Sequence, residues 1–308
     1  MSTIELSPSL VAAAEGGDVI AALSVGDAYR SGTAGVAIDL VSAVKWYTRA
    51  AEGGNADAAC TLGGCLMNGD GIGVDIARAM SWFERAAAGG SRAAAFNLGV
   101  CQMSGAGGRA QDAEGAVRWW AQAAAAGDAD AQYNLASCYE SGQGVGGKDT
   151  AAAIKWYAAA AAQDHPDAQF NLGNALCADN SGSDAVKGVQ WLQRAAEGGH
   201  VDAMCNFARC LEDGVGVLKD MAAAVVWYAK AAAEGDEDAA GALEELAAQD
   251  APGANEALER TLALLGEGGG GEGEGEEGEE EAEAEAVGAG TGTGKCKGKG
   301  KGKGGEMD

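Results

Sequence analysis

The chain has 308 residues, with 46 acidic against 21 basic side chains and a formal net charge of −25. Residues 266–308 hold five lysines and twelve acids, which leaves 16 basic and 34 acidic side chains, a net −18, on residues 1–265. Such a surface repels nucleic acid and anionic lipid and favours solubility or basic partners. No stretch approaches the roughly 18 apolar residues of a membrane span. Met1 to Gly17 also lacks the basic and apolar regions of a secretory signal. A cytoplasmic protein with no direct membrane insertion is the expectation.

Six tryptophans, Trp46, Trp82, Trp119, Trp156, Trp191 and Trp227, lie 36, 37, 37, 35 and 36 residues apart. Each follows an aspartate by seven residues: Asp39, Asp75, Asp112, Asp149, Asp184 and Asp220. This is a tandem repeat, in which one supersecondary unit buries its apolar face only by stacking on copies of itself. An elongated solenoid with a long open surface follows. In chain order, residues 1–17 form a partial N-terminal cap, because Ala13-Ala14-Glu15-Gly16-Gly17 repeats the end of a unit. Residues 18–235 hold six repeats. Residues 236–265 form C-terminal capping helices, where Leu243 keeps register but no Trp follows. Residues 266–308 pass from Gly/Glu to alternating Lys/Gly, too polar to build a core, and are expected to be a disordered tail. Its basic run could strap back onto the acidic repeats, although a solubilising tail is the plainer reading.

Each repeat opens with a helix, A, seen in Asp57-Ala58-Ala59-Cys60-Thr61-Leu62-Gly63 and again in Asp130 to Ala136 and Asp167 to Gly173. Its Ala, Leu, Gly and the Tyr four beyond Leu (Tyr29, Tyr139) share one stripe at about 100° per residue. Mid-helix Gly costs about 1 kcal/mol against Ala, so its recurrence points to a close neighbour. Glycine loops such as Gly69-Asp70-Gly71-Ile72-Gly73 follow, where the lone hydrophobic residue can tuck under the turn. The aspartate then caps a second helix, B.

On helix B a small residue four beyond Asp and the Trp seven beyond it share a face. Each indole is therefore expected to fill the core, removing roughly 150–250 Å² from water, worth about 4–6 kcal/mol before entropy. Gly53, Gly89, Gly127, Gly198 and Gly235 would supply left-handed caps at the end of B. From each Trp to the next motif Leu or Phe the distance is always 16 residues, so length varies only in the glycine loop. The constant segment reads as the stacking joint and the loop as an exposed edge.

Ala-x-x-x-Leu-Gly-x-x-Tyr, the glycine loop, Asp, Ala, Trp-Tyr and Ala-Ala-x-x-Gly recur six times over about residues 18–246. In these residues the chain resembles the Sel1-like repeat family, α-helical hairpins related in shape to tetratricopeptide repeats. The resemblance implies an all-α fold, a right-handed α-solenoid of stacked antiparallel helix pairs with about six repeats plus terminal caps. It also implies a monomeric, non-enzymatic scaffold or adaptor that binds a protein or peptide along a concave groove. Two alternatives stay open: a hydrolase, as among β-lactamase-like relatives, and an adaptor in protein quality control at the endoplasmic reticulum. Some secreted relatives carry a disulfide between the two helices of each unit, and no cysteine stands at the end of helix B to make one here.

The candidate partner-binding residues are Asn97, Asn134, Asn171 and Asn206, each preceding the motif Leu or Phe and lying away from the buried stripe, with Thr61 in the same position. An asparagine amide both donates and accepts, so a row of them could hold an extended peptide without reading its sequence. The competing reading is that the amides bond to neighbouring helices or water. Phe96, Tyr133 and Phe170 beside them either line the groove or fill space between A helices. Cys65, Cys101, Cys138 and Cys210 share one repeat position and Cys60 and Cys205 another, as reduced packing side chains. Their i, i+5 spacing fits no common zinc pattern, so no metal is expected. The glycine runs follow helices rather than strands, and no nucleotide or other cofactor is read from them. His165 and His200 open repeats and are expected to be exposed. No catalytic constellation stands out.

Overall fold

A computed structural model describes residues 6–178 and 182–267. The Lys/Gly run and Asn180-Ser181 of the short fifth loop lie outside the described residues. Among those described, every regular element is a helix. Two units divide the chain, Met1–Gln163 and Asp164–Asp308.

The first unit begins with α1 (Pro8–Glu15) and continues in four helix pairs: α2 (Val19–Ser31) with α3 (Leu40–Glu52), α4 (Ala56–Asn68) with α5 (Ile76–Ala88), α6 (Arg92–Ser104) with α7 (Ala113–Ala125), and α8 (Ala129–Ser141) with α9 (Thr150–Ala161). The second pairs α10 (Pro166–Cys177) with α11 (Gly182–Glu197) and α12 (Val201–Asp213) with α13 (Met221–Ala233), then adds α14 (Glu237–Ala248) and α15 (Ala254–Glu267). Even numbers from α2 to α12 are A helices, and odd numbers from α3 to α13 are B helices. Within each unit successive antiparallel pairs stack, and α14 and α15 close the second unit against α13.

The capping aspartates set where the B helices begin. Oδ1 of Asp39, Asp75, Asp112, Asp149 and Asp220 accepts the N–H of the third residue on, at 2.8–3.0 Å. The Ser42 hydroxyl and N–H together hold the Asp39 carboxyl below the usual carboxylate range. The backbone N–H of each of these five aspartates also donates to the last turn of its A helix, to the carbonyls of Tyr29, Leu66, Gln102, Tyr139 and Leu211, at 2.8–2.9 Å. Each hairpin is thus latched where it turns. Asp184 departs from this pattern: α11 already starts at Gly182, so its carboxylate lies in the first turn, complementing the helix dipole without capping. At the far end of B, the left-handed residues are Gly54, Gly90, Gly127, Asp164, Gly199 and Gly235. Gly53 and Gly89 keep φ of −73° and −80°, because a first glycine of the pair still bonds back into the helix. Gly53, Gly89 and Gly198 therefore stand one residue short of the left-handed position expected of them.

The large core side chain is the residue after each recurrent tryptophan. Tyr47, Phe83, Trp120, Tyr157, Leu192 and Tyr228 are at most 4 % exposed, whereas the six tryptophans expected to fill the core are half-buried. Counted from the small residue of helix B, Trp sits at i+3 and its successor at i+4; both flank the apolar stripe, and the i+4 side chain turns fully inward. In four repeats it meets the glycine in the middle of helix A, Gly26, Gly63, Gly99 or Gly173. A Cβ on Gly63 would stand 2.6 Å from Cε1 of Phe83, and one on Gly26 2.7 Å from Cε1 of Tyr47. The close neighbour inferred from the mid-helix glycine is this ring. Five of the six half-buried indoles, all but Trp119, instead sit under cations, with Arg85 4.2 Å from the ring centre of Trp82 and Lys230 3.9 Å from that of Trp227.

The glycine loop is part of the stacking joint and not simply an exposed edge. Gly71 has φ +69°, and a Cβ there would collide with the Leu40 carbonyl at the start of α3, in the preceding repeat. Gly144 and Gly216 seat in the same way on Ala113 and Ala185, while Ile72, Val145 and Val215 tuck half-buried beneath the turns. We expect Phe83→Ala to cost about 3–5 kcal/mol and Trp82→Ala only about 1–2 kcal/mol by urea denaturation. Equal losses would contradict the assignment of the core ring. Gly71→Ala should cost about 1–3 kcal/mol through strain at both φ and the Leu40 contact, and a neutral effect would return the loop to a free edge.

Candidate functional site

The asparagine position of helix A faces clefts between repeats. In the first unit a cleft of about 470 Å³ is lined by Thr61, Gly64 and Asn68 of α4, Arg30 of α2 and Asn97 of α6. In the second unit a cleft of about 220 Å³ is lined by Asn174 and Cys177 of α10 and by Asn206, Arg209 and Cys210 of α12. Asn97, Asn134, Asn171 and Asn206 are all half-buried. Asn206 Nδ2 donates to Asn174 Oδ1 at 2.8 Å across the joint between repeats, and Asn97 reaches the Cys60 thiol of the preceding repeat. Among the described residues, the side chains of Asn134 and Asn171 bond to no other residue. One repeat position thus combines inter-helix bonding at two sites with open amides at two others. Asn68, Asn174 and Arg209 were not singled out from sequence, although their i+3 and i+7 offsets from the asparagine position mark the same helical face.

Tyr133 and Phe170 are 8 % and 5 % exposed, so they fill space between helices and present little surface to a groove. The Tyr133 ring lies 5.8 Å from Tyr157, and Phe170 stacks on His200 at 4.7 Å with 21° between planes. Phe96 is half-buried against the core of the first unit. Contrary to expectation, the two histidines are not exposed: His165 is half-buried and the His200 side chain is 13 % exposed. They are helix caps, each Nδ1 accepting an N–H, from Ala168 and Ala203, at 3.3 Å. This places the His200 proton on Nε2, which donates to Asp167 Oδ1 at 3.2 Å.

Polar groups in the joints are mostly matched. Tyr47, Tyr157 and Tyr228 donate their hydroxyls to Asp27, Glu140 and Glu212 at 2.7–2.9 Å. Burial first, then the adjoining carboxylate, raises the Tyr47 and Tyr228 phenols above their usual range. Burial also raises the thiols of Cys60, Cys65 and Cys101 and pushes Cys138 up to about 11. The third repeat is the exception, since Gln102 Oε1 and Trp120 Nε1 are buried without partners. That repeat departs from the pattern in sequence as well, with Gln102 where Tyr29 and Tyr139 stand.

Amide-bearing clefts of this kind can hold peptide groups by hydrogen bonding. Among the described residues no three His, Cys, Asp or Glu side chains are placed to hold a metal ion, and no helix is long and apolar enough to cross a membrane. Stacked helix pairs with a recurring cleft position define a repeat scaffold. Six successive segments, 19–55, 56–91, 92–128, 129–165, 166–200 and 201–236, match the Sel1 repeat, and the chain belongs to that family. Its fold is the Sel1-repeat scaffold, a fold that serves protein–protein interaction. A protective antigen of uropathogenic Escherichia coli that displays an SLR fold is similar, with 28% identity and a TM-score of 0.75 over 84% of this chain; this chain spans 56% of that one. A Sel1 repeat protein from Oxalobacter formigenes is 27% identical with a TM-score of 0.58, covering 70% of this chain and 85% of its own. No curated protein matches the chain.

The raised thiol and phenol values fix a pH dependence. Groups whose folded pKa lies above the unfolded one stabilise the fold fully below the unfolded value and lose that contribution as pH rises through the folded value. For Cys138 the window runs from the ordinary thiol value, about 8.5, to about 11. The melting temperature should fall across it, and Cys138→Ala should shrink the fall. A flat profile would contradict the buried thiol.

Proposed function

We propose that the chain binds an extended polypeptide along its A-helix faces, with Asn97, Asn134, Asn171 and Asn206 making the contacts and Phe96, Tyr133 and Phe170 packed behind them. The observation that carries this reading is that the same repeat position opens onto a cleft in both units, Asn97 with Thr61 in one and Asn206 in the other. The open amides of Asn134 and Asn171 support it further, since a half-buried donor and acceptor gains most from a ligand that supplies both partners. Residues 18–235 form the binding region and 236–265 close it. The net charge of −25 favours a basic partner drawn in at long range. A monomer acting in the cytoplasm completes the proposal, and reduced cysteines at packing positions suit that compartment.

Affinity purification with mass spectrometry should recover a stable polypeptide partner, and the same experiment decides between a cytoplasmic set and one from the endoplasmic reticulum. Asn134→Ala and Asn171→Ala should each weaken its binding about tenfold while leaving the melting temperature unchanged. Unchanged binding with lowered stability would make the amides structural and sink the proposal.

A further inference from the structure

Cys177 ends α10, and Cys210 lies on α12, the equivalent helix of the next repeat. Both thiols line the cleft of the second unit. They are also in contact: the Cys210 thiol hydrogen-bonds to Cys177 and lowers its pKa against the effect of burial, opposite to the upward shift of Cys65, Cys101 and Cys138. In its thiol form Cys177 donates to the Ala185 carbonyl at 3.7 Å.

Two features of the fifth repeat set this pair apart. The position of Cys177, five beyond the motif Leu or Phe, is held elsewhere by Arg30, Met67, Met103, Glu140 and Glu212. Helix α11 also carries Gly188 where the other B helices have alanine, and a Cβ there would stand 2.6 Å from Cys177 Sγ. The substitution makes room for the sulfur. A half-buried thiol in an open cleft, in contact with a second thiol, has the ingredients of an oxidisable site.

We propose that Cys177 and Cys210 form a redox-active dithiol that a hydroperoxide converts into a disulfide joining α10 to α12. The Cys177 thiolate attacks the terminal peroxide oxygen. The O–O bond breaks, Cys177 becomes a sulfenic acid, and the departing oxygen takes up the proton that Cys177 released, leaving as an alcohol, or as water from hydrogen peroxide. Sγ of Cys210 then attacks Sγ of Cys177, the S–S bond forms, and the hydroxyl leaves as water with the Cys210 proton. Two thiols lose two electrons and two protons, and the peroxide gains them. The disulfide ties two successive repeats together across the cleft bridged by Asn174 and Asn206, and it forms whether or not that cleft binds a peptide.

The full-length chain, treated with equimolar hydrogen peroxide and digested without reductant, should yield a peptide pair linked through Cys177 and Cys210 by mass spectrometry. Before oxidation, iodoacetamide should label Cys177 at least about tenfold faster than Cys101 or Cys138. In Cys210→Ser, dimedone should trap Cys177 as the sulfenic acid. Labelling of Cys177 no faster than of Cys101, or a peroxide product in which Cys177 pairs mainly with Cys296 or stays reduced, would overturn the proposal. Labelling and mapping use the unaltered protein, so they decide the matter even if the variant does not fold.

Discussion

The structure depends on one recurring contact: the side chain after the tryptophan, Tyr47, Phe83, Trp120 or Leu192, pressed onto a glycine in the middle of the paired helix. Gly63 under Phe83 and Gly26 under Tyr47 bring the helix axes close enough for the alanines on either side to be buried completely. Helix propensity loses about 1 kcal/mol at each such glycine. Burying a whole ring returns several times that amount. The rest of the repeat is arranged around this contact, with the Asp cap fixing where helix B starts and the loop glycine seating on the preceding repeat.

That arrangement explains how a surface for partners arises. The ring and the alanine stripe occupy one face of helix A, and the asparagine position is turned away from them toward the next A helix. Stacking within a unit then opens a cleft wherever small or flexible side chains meet, as Thr61, Gly64 and Asn97 do in the first unit. Where two amides come into register, as Asn206 and Asn174 do, they bond to each other and stiffen the joint. The same position therefore bonds across a joint in one place and opens onto a cleft in another, depending on the neighbouring repeat.

Much of this was legible in the sequence. The tryptophan period, the aspartate seven residues earlier and the Leu-Gly motif gave the helix pairs and their order, because each reports a local periodicity or a cap. The identity of the core ring was not, since Trp82 and Phe83 sit at i+3 and i+4 from the same alanine and periodicity alone separates them poorly. The indole is the larger apolar group, yet it is the one left under an arginine at the rim. The loop glycines read as flexible when Gly71 is held by a backbone collision with another repeat, which no local pattern encodes. The asparagine row was visible as a position, but its hydrogen bonds depend on inter-repeat register. Cys177 stands outside the recurrent cysteine positions and carries no periodic signal, although Gly188 in place of alanine marks the space it fills.

A double-mutant cycle between Gly63 and Phe83 tests the central contact most directly. With Phe83 present, Gly63→Ala should destabilise the chain by about 1–3 kcal/mol despite its better helix propensity. In the Phe83→Ala background the same change should be neutral or stabilising by up to about 1 kcal/mol, giving a coupling well above experimental error. Additive effects at the two positions would mean that the ring does not rest on the glycine, and would contradict the account.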